Sequence, residues 1–105
     1  MNKLNTKQMN LIKQEIPLEN GTSIVRLNVA ADNTISEIDS NNNIYCINKD
    51  NEILWQINAA PSKFNRDSFV SILRDNDEVI AKRFFGLKYR INIKTGQAEE
   101  CGWDK

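Results

Sequence analysis

The chemistry open to this sequence is limited first by what it lacks. It contains no histidine, so the commonest general base and the commonest metal ligand are both missing. Its strongest nucleophiles are two cysteines, Cys46 and Cys101, but a thiolate needs a neighbouring base or cation to form near neutral pH. Cys46 falls inside an alternating run and Cys101 stands beside Gly102, so both read as small core or edge residues. Widely separated, they do not have the spacing of a zinc site. Asp75, Asp77 and Glu78 offer the acids of a calcium loop without its glycine or its distal glutamate, and read better as a hairpin turn. Only 4 glycines are present, none clustered, so there is no phosphate cradle. Folding can bring carboxylates together from distant strands, yet nothing singles out a pair. These residues point away from catalysis, cofactors and metals, and towards binding.

Two groups of residues suit binding. The first is basic and aromatic, Lys82-Arg83-Phe84-Phe85-Gly86-Leu87-Lys88-Tyr89-Arg90. Cations interleaved with stackable rings can hold single-stranded nucleic acid on a β-face. The competing reading turns Phe84, Leu87 and Tyr89 inward and leaves the cations in water. It fits better, though it explains Phe85 least. The second group is acidic. Asp32, Glu37, Asp39, Asp50 and Glu52 are opposed only by Lys49, and Asp75 and Asp77 follow further on. The whole chain is neutral, with 14 basic and 14 acidic residues, so any electrostatic recognition has to be local. Grouped acids suit a basic partner. Phe64 and Phe85, each apolar in a polar neighbourhood, are candidate anchors for it.

The elements that must carry these residues are strands. Leu87, Tyr89, Ile91 and Ile93 alternate with Lys88, Arg90, Asn92 and Lys94, the period of a strand with one buried and one wet face. Ile53, Trp55 and Ile57 alternate similarly, as do Val25, Leu27 and Val29, and Ile80 and Phe84 flank Lys82. Glu19-Asn20-Gly21, Asp32-Asn33, Asn41-Asn42-Asn43, Lys49-Asp50-Asn51, Asp75-Asn76-Asp77 and Lys94-Thr95-Gly96 supply turn chemistry between the runs. This spacing predicts one all-β domain over residues 1–105, an antiparallel meander curled into a sandwich or open barrel. Thr6 to Ile16 is a helix candidate, although Ile16 before Pro17 suits extended backbone. Ala59 to Asp67 reads as a long loop with one helical turn. No secretion signal or bilayer-spanning run is evident, which predicts a cytoplasmic chain with both thiols free.

Two stretches resemble each other: Tyr45-Cys46-Ile47-Asn48 with Glu52-Ile53-Leu54-Trp55, and Tyr89-Arg90-Ile91-Asn92 with Thr95-Gly96-Gln97 and Trp103. Each reads as strand, tight turn, strand, with an Asn braced across the turn. Both resemble the hairpin unit of quinoprotein-type β-propeller blades, although a chain this short cannot close a propeller. Taken together, Asn43–Ile57 and Leu87–Gly96 are also similar to a group of small bacterial β proteins. Among these are immunity proteins that accompany the toxins of contact-dependent growth inhibition systems. That resemblance implies a non-enzymatic monomer, with no cofactor, that covers the active site of one cognate toxin. Many such toxins are nucleases with basic clefts, which acidic turns would match. A nucleic-acid-binding β module using residues 82–90 is the alternative.

Overall fold

Where apolar and polar residues alternate, strands form, and the structure sorts eight of them into two antiparallel sheets. The computed structural model describes residues 2–30 and 32–103. β1 (Ile12–Pro17), β2 (Ser23–Leu27), β3 (Ile44–Ile47) and β4 (Ile53–Gln56) follow one another across the first sheet. β5 (Phe69–Asp75), β6 (Glu78–Arg83), β7 (Leu87–Ile91) and β8 (Ala98–Trp103) do the same in the second. The result is an all-β sandwich of two successive meanders. The two similar sequence stretches occupy equivalent places, as the third and fourth strands of each sheet.

The turns work as their residues predict. Asn48 Oδ1 accepts the Asp50 and Glu52 N–H groups, and Asn92 Oδ1 accepts that of Lys94, so one Asn braces each hairpin. Asn51 and Asn76 take left-handed backbone, with φ of 63° and 57°, a conformation Asn tolerates better than most residues.

The main core lies between the sheets. Ile24, Ile44, Cys46, Trp55 and Ile57 from the first meet Phe69, Ile72, Val79, Ala81, Tyr89, Ile91 and Ala98 from the second. A smaller core covers the outer face of the first sheet. There Val25, Leu27, Tyr45 and Ile47 are roofed by Leu4, Met9 and Leu11 from the N-terminal segment and by Val29 and Ile35. β3 is therefore buried on both faces, and all four of its residues are inaccessible.

Carboxamides join the two sheets. Gln14 accepts the Ile72 N–H at 3.0 Å and donates to the Ile72 carbonyl at 3.3 Å. Asn43 does the same for Phe69, while the main chain of Asn58 forms a parallel bridge to Gln97. Such contacts satisfy main-chain groups that an edge strand would otherwise leave open.

Two short helices replace the single helical turn expected. α1 (Thr6–Asn10) takes only the first part of the Thr6–Ile16 candidate, and Ile12 to Pro17 is extended as β1. Asn5 and Gln8 close a capping box at its start. α2 (Glu37–Asn41) begins at Ser36, whose hydroxyl accepts the Asp39 N–H at 3.2 Å. The helical turn expected between Ala59 and Asp67 does not form. The Ala60 and Asp67 carbonyls there are taken by the Arg83 guanidinium, which holds the loop as an irregular arch.

Candidate functional site

The arch over 59–67 and the β6–β7 turn meet at one end of the sandwich, and Arg83 and Asp67 fasten them. Arg83 is 1% exposed, with its guanidinium 4.3 Å from the Phe69 ring centre and 5.1 Å from that of Tyr89. It donates to the carbonyls of Asn41 and Asp67 at 2.7 Å each, to that of Ala60 at 3.4 Å, and to the Tyr89 hydroxyl at 3.2 Å. Among the described residues no carboxylate lies within ion-pair distance of it. Asp67, also buried, accepts the Phe85 N–H at 2.9 Å and the Ser62 hydroxyl at 2.6 Å, and its own N–H donates to Asn41 Oδ1. Ser62 in turn accepts the Phe64 N–H. Buried polar groups satisfied this fully lend rigidity to the loop that carries them.

On that base stands an aromatic surface. The rings of Phe64 and Phe85 stack with centres 4.1 Å apart and planes 26° apart. Phe84 meets Phe85 edge-on at 5.1 Å, and the Trp103 indole N–H donates to the Phe85 carbonyl at 3.0 Å. Phe64, Phe84, Phe85 and Trp103 are 47%, 68%, 41% and 61% exposed. The chain has 4 Phe, 2 Trp and 2 Tyr, so half its large aromatics are held in water at one end. Contiguous exposed apolar surface of this kind is uncommon on a folded monomeric domain. Between the arch and the second sheet runs a groove of about 440 Å³ lined by Lys63, Phe64, Phe85, Leu87, Glu100 and Trp103. A second cleft joins Phe64 to the exposed Ile38 of α2.

The structure thus brings together the two anchor candidates, Phe64 and Phe85. It divides the acidic ones. Antiparallel β3 places α2 at one end and the β3–β4 turn at the other, so Glu37 and Asp39 share the aromatic end while Asp50 and Glu52 lie at the opposite end. β5 runs from Phe69 at the aromatic end to Asp75, which puts Asp75 and Asp77 at that opposite end too. Asp39 accepts from Gln56 at 3.3 Å and Glu52 from Asn48 at 2.8 Å. Asp32 is 3.0 Å from Lys7 and also takes the Thr34 N–H and hydroxyl. The Thr34 hydroxyl first, and then Lys7, pull its carboxyl down to about 2.

The expected orientation of the basic segment needs correcting. β6 buries Val79, Ala81 and Arg83, not Ile80 and Phe84, so Arg83 points inward and Phe84 outward. The reason is tertiary: the carbonyls of Asn41, Ala60 and Asp67 and the Tyr89 hydroxyl accept from the guanidinium inside the fold and so replace the water it gives up. Arg90 pairs with Glu78. Trp103, Phe84, Ile38 and Glu100 belong to the surface but were not anticipated. The one available signal was the lack of an alternating apolar partner around Trp103; Phe84 was masked by its spacing from Ile80.

Cys46 is buried and Cys101 exposed, both as free thiols, and burial pushes the Cys46 thiol pKa up. Among the described residues no group of three or more His, Cys, Asp or Glu could hold a metal ion, and no helix is long and apolar enough to cross a membrane. No curated protein and no solved structure matches the chain. One family model, described as Domain of unknown function (DUF7957), matches residues 4–103. That span runs from the first core leucine to the exposed Trp103 and takes in both sheets, the arch and the aromatic surface, and the chain belongs to the DUF7957 family.

Proposed function

We propose that this chain is a non-enzymatic binding protein that docks one protein partner on its aromatic end, and that it acts as an immunity protein covering the active site of a cognate bacterial toxin. The observation that carries the docking reading is the Phe64–Phe85 stack, held exposed on a scaffold fastened by Arg83 and Asp67. Preorganised rings lose little entropy on binding, and aromatic anchors dominate interface energies. The immunity reading adds the sequence resemblance of the two hairpins. Glu37 and Asp39, at the same end, are the acids placed to face a basic cleft. Asp50, Glu52, Asp75 and Asp77 act only at a distance, by steering.

The nucleic-acid alternative loses ground on two contacts. Arg83 is committed to main-chain carbonyls and Arg90 to Glu78, so two of the segment's cations are engaged within the chain itself.

The test is inhibition and binding by the product of the gene immediately upstream. The wild-type chain is expected to abolish that product's activity at equal molar ratio. Phe85→Ala should weaken binding by more than about tenfold, and Glu37→Lys should slow association more than Asp50→Lys. No inhibition by the wild type would remove the immunity reading, and binding unaffected by Phe85→Ala would remove the aromatic surface from it.

A further inference from the structure

We infer that the outer edge of β8 takes up an extended, basic segment of the protein partner as an added strand. This rests on the docking reading above and specifies how the partner engages.

β8 is the last strand of its sheet, paired with β7 alone. At its start the edge already carries one rung of a further strand. The Asn58 N–H donates to the Gly96 carbonyl, and the Ala98 N–H donates to the Asn58 carbonyl, both at 2.9 Å. The bridge is parallel. The chain then leaves the edge as the arch, reaching Pro61 and giving its Ala60 carbonyl to Arg83. Main-chain direction alternates along a strand. Since Ala98 points its N–H away from β7, Glu100, the last residue in regular register before the bulge at Cys101, does so too, and among the described residues no main-chain group pairs with that side of Glu100. An edge with unpaired donors and acceptors is a template for strand addition.

The groove supplies the side-chain half of such a site. Leu87 stands opposite Trp103, and Tyr89 opposite Glu100. Ile91 and Ala98, further along the same face, are covered by the first sheet; Leu87, half-buried at the margin of that core, and the exposed Trp103 line the groove. The groove therefore continues the inner face of the sheet. A strand added at β8 would turn alternate side chains into it, against Phe85, Leu87 and Trp103.

Charge selects the occupant. Glu99 and Glu100 are adjacent on the edge strand and exposed; Glu99 lies opposite Arg90, so Glu100 is the acid that presents its charge to the edge. Pairing with a second copy of this edge would set acids against acids, which cross-strand neighbours disfavour. A strand with Lys or Arg beside an apolar residue meets the same edge favourably. Lys63 on the opposite bank leaves discrimination by charge to the β8 side.

The experiment uses the full chain labelled with 15N, and as probe an acetylated heptapeptide in which lysine alternates with valine. Binding should slow amide exchange at Glu100 by about tenfold or more and shift the signals of Leu87 and Trp103. Two versions of the probe, N-methylated on one or the other alternate set of amides, should differ, with one losing binding. A glutamate–valine peptide should bind more weakly, and Glu100→Lys should reverse that preference. If both methylated probes bind as well as the parent while Phe85 and Trp103 still shift, strand addition is overturned and the aromatic docking surface stands. If the lysine–valine probe leaves the β8 amides unchanged, strand addition is likewise overturned.

Discussion

The side-chain amide of Asn43 serves Phe69 as a neighbouring strand would, accepting its N–H and donating to its carbonyl, both at 2.9 Å. The same Nδ2 also reaches the Leu27 carbonyl at 2.7 Å. Asn43 is 1% exposed and Phe69 heads β5, so this buried carboxamide, together with that of Gln14 at Ile72, ties the second sheet to the first. It also fixes the end of β5 from which the aromatic arch begins.

Removing that amide should cost more than a typical hydrogen bond. Asn43→Ala takes the partner from the buried Phe69 N–H and from the Leu27 carbonyl, and leaves the Phe69 carbonyl only the long 3.5 Å contact from Arg26, a loss of about 2–4 kcal/mol. Asn43→Asp keeps the acceptor but turns a second oxygen towards two carbonyls and buries a charge, so it should destabilise at least as much. Urea unfolding of the two variants checks this, and Asp outperforming Ala would mean that the donor half contributes little.

Glycines at two turns separate backbone strain from steric clash. Gly21 and Gly96 have nearly the same φ, +79° and +80°. A Cβ on Gly21 meets nothing within 4 Å, whereas one on Gly96 would fall 2.6 Å from Trp55 Cε3. Gly21→Ala should therefore cost about 1 kcal/mol from the left-handed backbone alone. Gly96→Ala should cost clearly more, because it also displaces a core indole whose N–H is tied to the Ile93 carbonyl. Thermal unfolding of both, with near-ultraviolet circular dichroism on Trp55, tests the difference.

The aromatic surface should behave as a surface built for contact. Phe64 and Phe85 are each roughly half exposed, and a stacked pair adds only about 0.5–1.5 kcal/mol beyond burial. Phe64→Ala or Phe85→Ala should lower stability by about 1 kcal/mol or less, yet cost about 2 kcal/mol or more in partner binding. Comparable losses in both measurements would make the stack a structural feature.

How much of this could be read from the sequence depended on how many neighbours decided each residue. β7 has one wet face, and Leu87, Tyr89 and Ile91 announce it. β3 is buried on both sides, so Ile44-Tyr45-Cys46-Ile47 has no alternation to read. Its environment is set by the N-terminal segment packed outside it. Asn48 and Asn92 were legible because they brace turns within a few residues of themselves. Arg83 was not, since its acceptors come from Asn41 and from Ala60 and Asp67 of the arch, two places distant from it in the chain. Phe64 and Phe85 stood out singly as apolar residues among polar ones. Their contact depends on Asp67 joining the arch to the turn, which no local pattern carries. Glu37 and Asp50 looked alike in sequence, and only the direction of β3 sends them to opposite ends.

Tyr45 makes stability fall at high pH, and the direction follows from its surroundings. The side chain is 4% exposed, with its hydroxyl accepting from Gln56 at 3.2 Å. Burial first, and then the negative charge of Asp39, push its pKa up to about 12, against about 10 for an exposed tyrosine. Below about pH 10 both folded and unfolded chains keep the proton, so this group gives no pH dependence there. Between about 10 and 12 the unfolded chain has released it while the folded chain still holds it, so unfolding is increasingly favoured as pH rises. The loss approaches about 2–3 kcal/mol near the upper limit. Tyr45→Phe removes the proton and the acceptor for Gln56. It should be less stable than wild type by about 1 kcal/mol at pH 9, yet lose less on going to about pH 11. Urea midpoints for the two proteins at both pH values decide the matter: a parallel decline would assign the alkaline loss to other groups, and a flatter one for the phenylalanine variant assigns it to Tyr45.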